Sequence, residues 1–250
     1  MCTASWLLEE DGFQLFFNRD EQVGRVLATP PNQFVDENGT RFLMPVDPQG
    51  GGSWIAVNEY GLAVCLLNYY QGQLPSGELI SRGQLIKGFA RYKDGEELIR
   101  DFATLDYTNY APFTFVVFDS ELNLNSGHVK ALRWDGESLC EFLAKPPLIS
   151  SAVDAETVHH VRSELFHRYQ SQGDSLESRL AFHHSHHPEQ GHLSPCMHRE
   201  DAHTVSFTLI KVTTDKVSIS YQEGAPCQEN PYQISHLERR QVAQNIKISR

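Results

Sequence analysis

The fold is decided by the first strand pair of the chain, which is contained in MCTASWLLEEDGFQLFFNRDE (residues 1–21). Residues 3–8 and 13–17 are rich in apolar side chains, and Glu10-Asp11-Gly12 between them is typical of a tight turn, because glycine adopts positive φ without steric cost. The stretch predicts a β-hairpin whose polar end, Asn18-Arg19-Asp20-Glu21, lies back beside residue 2.

A second hairpin is predicted further along, at residues 53–58 and 62–68. Its second arm is a continuous apolar run, which is typical of a strand buried on both faces. Cys65 lies within that run and is expected to be a small buried hydrophobic side chain. The polar, proline-rich stretch between the hairpins, residues 28–52, is expected to be a loop.

Helices are predicted in the middle of the chain. Ser81 and Asp94 each precede apolar residues at helical spacing and are expected to cap short helices, and a longer helix is predicted from near Asp154. Residues 171–202 are polar and histidine-rich, and are expected to be a loop, a short helix or an insertion. Further strands are predicted at 113–118, 128–134, 138–143, 203–212 and 216–221. Strands flank central helices without βαβ alternation, so the pattern predicts an α+β protein with antiparallel sheets covered by helices.

Composition excludes several classes of function. The chain has 250 residues, enough for one large domain or two small ones, and a net charge of −11, which disfavours nucleic-acid and anionic-membrane partners. No apolar run approaches the length of a membrane span, and the N-terminus lacks the basic region of a signal peptide. The five cysteines include no CxxC pair, which favours a reducing, cytoplasmic setting. The C-terminal tail is locally basic, with Arg239, Arg240, Lys247 and Arg250, and is expected to be solvated.

Cys2 is the position with the clearest chemical potential. A small second residue permits removal of Met1, which would give Cys2 a free α-amine with a pKa near ~8 beside a thiol of pKa ~8.5. One residue would then hold both a base and a nucleophile. The predicted hairpin returns Arg19 and Asp20 to this residue, where a guanidinium favours the thiolate and a carboxylate positions the amine. The alternative is an ordinary surface salt bridge at the end of a strand.

A family resemblance rests on four fragments in order: Met1-Cys2-Thr3, the pentapeptide FNRDE (17–21), GGSWIAVN (51–58) and GLAV (61–64). Together they resemble the transport and Golgi organisation family, also named NRDE after Asn18-Arg19-Asp20-Glu21. That family is similar to the choloylglycine hydrolase and penicillin V acylase group of N-terminal-nucleophile (Ntn) hydrolases. The resemblance implies a single domain over residues 1–250 with a four-layer αββα sandwich of two packed antiparallel sheets.

The resemblance also implies a set of site residues. Cys2 falls at the nucleophile, with Arg19 and Asp20 beside it. Asn68 ends the segment that leads to an oxyanion-hole asparagine, although a strand-terminating turn residue is the structural alternative. Arg199 falls near the late arginine of the family. Where the hydrolases have a further asparagine, this chain has Ser150-Ser151.

Two functions follow from the resemblance. The first is hydrolysis of a non-peptide amide by an Ntn cysteine hydrolase, acting on a small-molecule amide or hydrophobic ligand without a metal or organic cofactor. The second is a non-catalytic binding or trafficking protein for haem or lipid-like ligands, which the serine pair favours. Seven of the 12 histidines fall within residues 183–203, a density that can bind Zn, Ni or Cu. Their spacing is not that of a structural zinc site, so a polar surface loop with incidental metal affinity is the favoured interpretation.

Overall fold

The computed structural model describes residues 1–241. This part of the chain contains thirteen strands, four helices and a 3₁₀ helix. The strands are β1 (Cys2–Glu9), β2 (Gly12–Gln22), β3 (Thr29–Val35), β4 (Arg41–Val46), β5 (Ile55–Asn58), β6 (Ala63–Asn68), β7 (Phe113–Phe118), β8 (Lys130–Trp134), β9 (Leu139–Leu143), β10 (Leu148–Ser150), β11 (Ala202–Val212), β12 (Lys216–Glu223) and β13 (Gln233–Glu238). The helices are α1 (Gly83–Phe89), α2 (Gly95–Phe102), α3 (Ala155–Ser171), α4 (Leu176–His184) and the 3₁₀ helix Pro226–Gln228.

The strands form two antiparallel sheets. The first has the order β10-β1-β2-β11-β12-β13, and the second runs in sequence from β3 to β9. A hydrophobic core that includes Trp6, Phe13 and Phe118 fills the space between them. Helices α3 and α4 cover the outer face of the first sheet, and α1 and α2 cover that of the second. This four-layer αββα sandwich confirms the predicted fold class.

The N-terminal hairpin forms as predicted and is longer than its apolar residues indicated. Residues Cys2 to Glu9 of β1 pair with Arg19 to Gly12 of β2. Nine successive residues of β2 are buried, because this central strand is covered by a helix layer on one side and by the second sheet on the other. Gly12 is required at the turn, since a Cβ there would clash with the Val212 carbonyl oxygen of β11.

The expected loop over residues 28–52 is wrong, because it contains β3 and β4. Strand β3 lies at the edge of its sheet, where the missing N–H groups of Pro30 and Pro31 break no interior ladder. The pairing with β4 shifts register between Thr29 and Asn32, at these prolines. The proline signal that indicated a loop therefore marks an edge strand.

The helix caps are predicted in part. Asp94 caps α2 through its carboxylate, which accepts hydrogen bonds from the amides of Glu96 and Glu97. Ser81 does not cap α1; that helix begins at Gly83, and Arg82 occupies the cap position without a side-chain bond. The polar stretch 171–202 contains a short helix, one of its expected forms, since a capping box between Ser175 and Ser178 begins α4.

The basic end of the chain differs from the expected solvated tail. Arg239 is largely buried and donates to the backbone carbonyls of Tyr60, Thr213 and Ser120. Arg240 lies 3.7 Å from the carboxylate of Glu59. Lys247 and Arg250, the other two basic residues of the predicted tail, lie outside the described residues. No helix within residues 1–241 is long and apolar enough to cross a membrane.

Candidate active site

Cys2 begins β1 and is flanked on both sides by pairing strands. Its register partners are Arg19 on β2 and Ser150 on β10. Because residues directly opposite each other in an antiparallel pair share a face, all three side chains point toward the second sheet. The Cys2 side chain is 8% exposed and belongs to the core between the sheets. The predicted approach of Arg19 to residue 2 is therefore present.

Arg19 lies over the ring of Trp54, with the guanidinium carbon 4.3 Å from the ring centroid. This cation–π contact fixes the side chain on the face that Cys2 shares. Its Nη2 lies 3.4 Å from the carboxylate of Glu21 and 3.8 Å from that of Asp47. The positive charge of Arg19 therefore interacts with these two carboxylates as well as with the Cys2 thiol.

Asp20 lies on the opposite face of β2 and points to the helix layer. Its Oδ1 accepts a hydrogen bond of 2.7 Å from Thr204, its partner on β11. Its Oδ2 lies 3.7 Å from Nη1 of Arg162, and both side chains are fully buried. Among residues 1–241 this Oδ2 accepts no hydrogen bond. Asp20 is therefore held by two groups that the sequence interpretation did not include.

Arg162 of α3 is the functional-site residue that sequence reasoning missed. It donates 2.6 Å to the hydroxyl of Thr3 and also to the carbonyls of His192 and Leu193. Burial lowers its pKa, although an arginine stays charged in proteins. The signal available was its position among the apolar residues of the helix face that includes Val158 and Leu165, where a charged side chain is rare unless paired.

Asn68 ends β6 at the rim of a cavity of about 540 Å³ that both sheets wall. Cys2 and Arg19 line it from the first sheet, and Asn68 lines it from the second. The Asn68 amide donates 2.9 Å to the hydroxyl of Tyr70. The predicted nucleophile and the predicted oxyanion donor thus line one cavity.

Met1 lies at the entrance of this cavity and carries the α-amine. That amine donates to the Asp20 carbonyl (3.3 Å) and to the Tyr70 hydroxyl (3.4 Å). Burial acts to lower the pKa of the α-ammonium, but nearby Cys2, Tyr70 and Asp20 outweigh it and the pKa is raised. Burial also raises the pKa of the Cys2 thiol, against the smaller opposing effects of the α-ammonium and Arg19. With Met1 present, Arg19 does not bring the Cys2 thiol below its ordinary pKa.

Arg199 and Ser151 meet at the side chain of Met1. Arg199 Nη1 lies 3.7 Å from the Met1 sulfur, and Ser151 Oγ lies 3.6 Å from it. Arg199 also forms a 2.6 Å ion pair with Asp201, and Ser151 donates to the carbonyl of Val153. Ser150 differs from its neighbour, because its buried hydroxyl has no hydrogen-bond partner among residues 1–241.

The histidine-rich stretch is not a surface loop throughout. His183 of α4 is fully buried, and its ring lies 2.8 Å from Ser5 Oγ and 3.0 Å from Asn18 Oδ1. The Asn18 amide donates to the carbonyls of His183 and Pro195. Asn18 therefore fastens the stretch to the first sheet, a structural role. Cys65 is buried as expected, and burial raises the pKa of its thiol.

The arrangement of sheets, helices and N-terminal strand defines the class of protein, an Ntn-hydrolase-like fold. Similar solved structures include penicillin V acylase from Agrobacterium tumefaciens, with a TM-score of 0.54 and 11% identity, covering 95% of this chain and 86% of that one. A C2A mutant of conjugated bile acid hydrolase from Clostridium perfringens has a TM-score of 0.54, 14% identity and coverages of 95% and 92%. The Caenorhabditis elegans ortholog of N-acylethanolamine-hydrolyzing acid amidase has a TM-score of 0.55, 14% identity and coverages of 84% and 92%. At these identities the likeness shows the fold alone.

The family follows from the sequence itself. The family model described as "Transport and Golgi organisation 2" matches residues 1–215, and the chain belongs to that family. This confirms the resemblance carried by the NRDE residues. A search of curated protein sequences gives no match.

Proposed function

We propose that this protein is an Ntn-type amidohydrolase in which removal of Met1 frees the α-amine of Cys2. The observation that carries the proposal is the placement of Cys2, at the start of a central strand and facing a cavity that Asn68 lines from the other sheet. Arg19 and Ser150 stand in register on its two sides. The proposed roles are those of the nucleophile for Cys2, an oxyanion donor for Asn68 and for Ser150, and a positioning group for Arg19.

The proposed reaction has two halves. The freed α-amine accepts the thiol proton, and the Cys2 sulfur bonds to the carbonyl carbon of an amide. The tetrahedral intermediate collapses when the C–N bond breaks, and the ammonium returns the proton to the departing amine. Water then attacks the thioester, with the α-amine as base, and releases the acid and the Cys2 thiol.

The oxyanion of that intermediate needs hydrogen-bond donors. The Asn68 amide carries two N–H groups and uses one of them on Tyr70, so a second is available. The Ser150 hydroxyl, buried beside Cys2 and without a partner among residues 1–241, is a second candidate. We propose that Ser150, which falls near the position of a further asparagine in the resembled hydrolases, supplies this second donor.

Arg19 and Asp20 are proposed to hold the nucleophile rather than to react. Arg19 places positive charge on the face of Cys2, and Asp20 is fixed from behind by Thr204 and Arg162. The backbone of Asp20 bonds to Met1 in both directions, through its amide and its carbonyl. Removal of Met1 leaves those groups facing the new amine of Cys2. Arg199, which contacts the Met1 side chain, is proposed to lie at the substrate entrance.

An N-acyl amino acid is the substrate class that the cavity walls favour. Arg82 lines the cavity and donates to the Pro112 carbonyl, and within residues 1–241 it has no ion-pair partner. A carboxylate on the leaving amine would pair with it. A second cavity of about 400 Å³ shares Asn68 and has Leu148 and Ile149 in its wall, which suits an apolar acyl chain.

A non-catalytic binding role for haem or lipid-like ligands is the second candidate. The observation that favours it is Ser151, whose hydroxyl hydrogen is already donated to the Val153 carbonyl. If both serines serve only the fold, the cavity keeps its walls and lacks part of its oxyanion site. The apolar cavity beside Asn68 would then be the binding site.

The two candidates are separated by an amide panel assayed on the purified full chain. The panel holds N-acyl amino acids, penicillin V, bile-salt conjugates and N-acylethanolamines, and Cys2→Ala is the inactive control. We expect Cys2-dependent hydrolysis, with N-acyl amino acids preferred. Arg82→Gln should raise KM for the acids and leave the neutral N-acylethanolamines unchanged. Saturable ligand binding that survives Cys2→Ala, without turnover of any amide, would establish the binding role instead.

Asn68→Ala then tests the oxyanion assignment. Loss of one oxyanion donor costs about 2.7–4 kcal/mol, or roughly a hundred- to thousand-fold in turnover, with a much smaller effect on KM. Tyr70→Phe is the matched control, because it removes the neighbouring hydroxyl and keeps the amide. If Asn68 only ends a strand, the substitution should cost about 1 kcal/mol of stability and leave turnover per folded molecule intact.

A further inference from the structure

A cluster of two histidines and two cysteines lies outside the candidate active site. His186 follows α4, Cys196 and His198 precede β11, and Cys227 lies in the 3₁₀ helix Pro226–Gln228. Their ligand atoms all lie within 4.8 Å of one another. We propose that these four side chains form a tetrahedral, structural zinc site. Two thiolates and two imidazoles are a donor set that Zn²⁺ takes in such sites.

Three of the six distances between the ligand atoms match the edges of a zinc tetrahedron. The Nε2 atoms of His186 and His198 are 3.2 Å apart, and His198 Nε2 is 3.5 Å from Cys196 Sγ and 3.4 Å from Cys227 Sγ. With Zn–N of about 2.05 Å and Zn–S of about 2.3 Å, tetrahedral angles give N–N edges of about 3.35 Å and N–S edges of about 3.55 Å. All three observed separations lie close to these values.

Hydrogen bonding alone does not account for the cluster. His198 Nε2 is approached by three groups at once, namely the ring of His186 and the two sulfurs. A neutral imidazole nitrogen carries either one hydrogen or one lone pair, and so serves one such partner. A cation at the centre of the four atoms would satisfy all of them together.

The surrounding backbone holds the ligands in place. The amide of Cys196 donates 3.1 Å to the Ser185 carbonyl, which places Cys196 beside the residue before His186. Its own carbonyl accepts 2.8 Å from Ser194 Oγ, and His198 pairs with His203 at the start of β11. Cys196 itself is fully buried. Ligands already fixed by the fold lose little entropy when they bind a metal.

A metal bound here would stabilise residues 195–198, the segment that contacts β2 and, through Thr204, Asp20 of the candidate active site. The amide of Met197, between two ligands, donates 2.8 Å to Thr204 Oγ1, and Thr204 donates in turn to Asp20. Pro195, next to Cys196, accepts from Asn18 of β2. With four protein ligands the metal has no open position, so its role is to fix this segment rather than to activate substrate.

The proposal is tested by the zinc content of chain purified without a histidine tag, measured by plasma mass spectrometry after dialysis. We expect one zinc per chain in the wild type. Cys196→Ser, Cys227→Ser and His186→Gln should each lose it, whereas Cys140→Ser and His187→Gln should keep it. His186→Gln removes a half-exposed ligand, and so addresses the site even if the buried Cys196 variant fails to fold.

A second measurement does not depend on variants. Chelator-stripped protein, refilled with Co²⁺, should show the visible d–d and thiolate charge-transfer bands of a tetrahedral site, lost on addition of Zn²⁺. Stripping should also lower Tm, and Zn²⁺ should restore it. Folded wild type without stoichiometric zinc and without a cobalt spectrum would overturn the proposal. So would a Cys196–Cys227 disulfide found under reducing purification.

Discussion

The side chain of Cys2 is 8% exposed, and burial raises the pKa of its thiol because the thiolate loses its hydration. The α-ammonium and Arg19 act in the opposite direction without overcoming that effect. Removal of Met1 transfers the α-amine to Cys2 itself, where it can accept the thiol proton directly. Reactivity of this residue should therefore depend on processing more than on Arg19.

Thiol labelling should show this dependence on processing. In chain that retains Met1, for instance behind an N-terminal extension, Cys2 should react slowly with iodoacetamide at neutral pH and faster only at alkaline pH, because its pKa is raised. Exposed Cys140 should react first there. In processed chain, identified by an intact mass lower by one methionine residue, Cys2 should react faster than in the extended form while the rate at Cys140 stays constant. Equal rates at Cys2 in both forms would contradict the role of its amine.

At the scale of single elements, two predicted helix starts look alike in sequence but differ in structure. One is expected to be capped by Asp94 and the other by Ser81. Asp94 accepts from two amides of α2 through its side chain, whereas Ser81 is exposed and its side chain makes no cap bond to α1. Asp94→Ala should cost about 1 kcal/mol in the free energy of unfolding, and Ser81→Ala should change it by less than about 0.5 kcal/mol. Urea denaturation of the two variants measures both. A larger loss for Ser81→Ala would mean that α1 is capped in solution by the residue that the sequence indicates.

The contact between α3 and β2 carries a buried charge pair. Arg162 and Asp20 have no exposed side-chain surface, so removal of the arginine leaves a buried carboxylate without an opposite charge. Arg162→Met should destabilise the fold by about 3–5 kcal/mol. Arg199→Met, which breaks the exposed pair with Asp201, should cost less than about 1 kcal/mol.

A double variant separates charge from packing at this contact. Adding Asp20→Asn to Arg162→Met removes the unpaired carboxylate and should recover part of the lost stability in urea denaturation. If Arg162→Met and Arg199→Met cost the same, or if Asp20→Asn adds to the loss, the pair does not hold Asp20 as described.

Local signals explain which elements could be predicted from the sequence. The N-terminal hairpin, the apolar strand β6 and the cap of α2 each follow from periodicity or from one cap residue. Strands β3, β10 and β13 could not, because β3 contains prolines at a sheet edge, β10 has three residues, and β13 exposes most of its side chains. These strands form because a neighbouring strand pairs with them. A local sequence pattern does not contain that information.

At the scale of the whole molecule, the candidate site also combines contacts that local sequence predicts with contacts that only the assembled fold creates. Cys2 and Arg19 are joined by one hairpin, so their contact could be predicted from sequence. Arg162 reaches Asp20 across 142 positions of chain through helix docking, and only the assembled layers bring them together. The four residues of the proposed zinc site could not be assembled from the sequence for a related reason: they come from three separate segments and do not follow a recurring spacing.

One source of acid sensitivity lies where the helix layer meets the first sheet. His183 is fully buried between them, and its Nδ1–H donates to Asn18 Oδ1, so its Nε2 accepts from Ser5. Burial, with added repulsion from His184, Arg179 and Arg162, lowers its pKa well below the ordinary 6.5. The folded chain therefore keeps this ring neutral at pH values where the unfolded chain protonates it. That stability is present above pH 6.5 and is lost as the pH falls below it.

The loss of stability with falling pH should have a defined slope. Between about pH 6.5 and pH 5, one histidine protonated only in the unfolded chain contributes about 1 kcal/mol per pH unit to the fall in unfolding free energy. His183→Gln should lower stability at neutral pH through lost packing and should flatten the slope by about that amount. His160→Gln, on the exposed side of α3, should leave both unchanged. Urea denaturation at several pH values measures the slopes, and an unaltered slope in His183→Gln would show that the ring does not stay neutral in the fold.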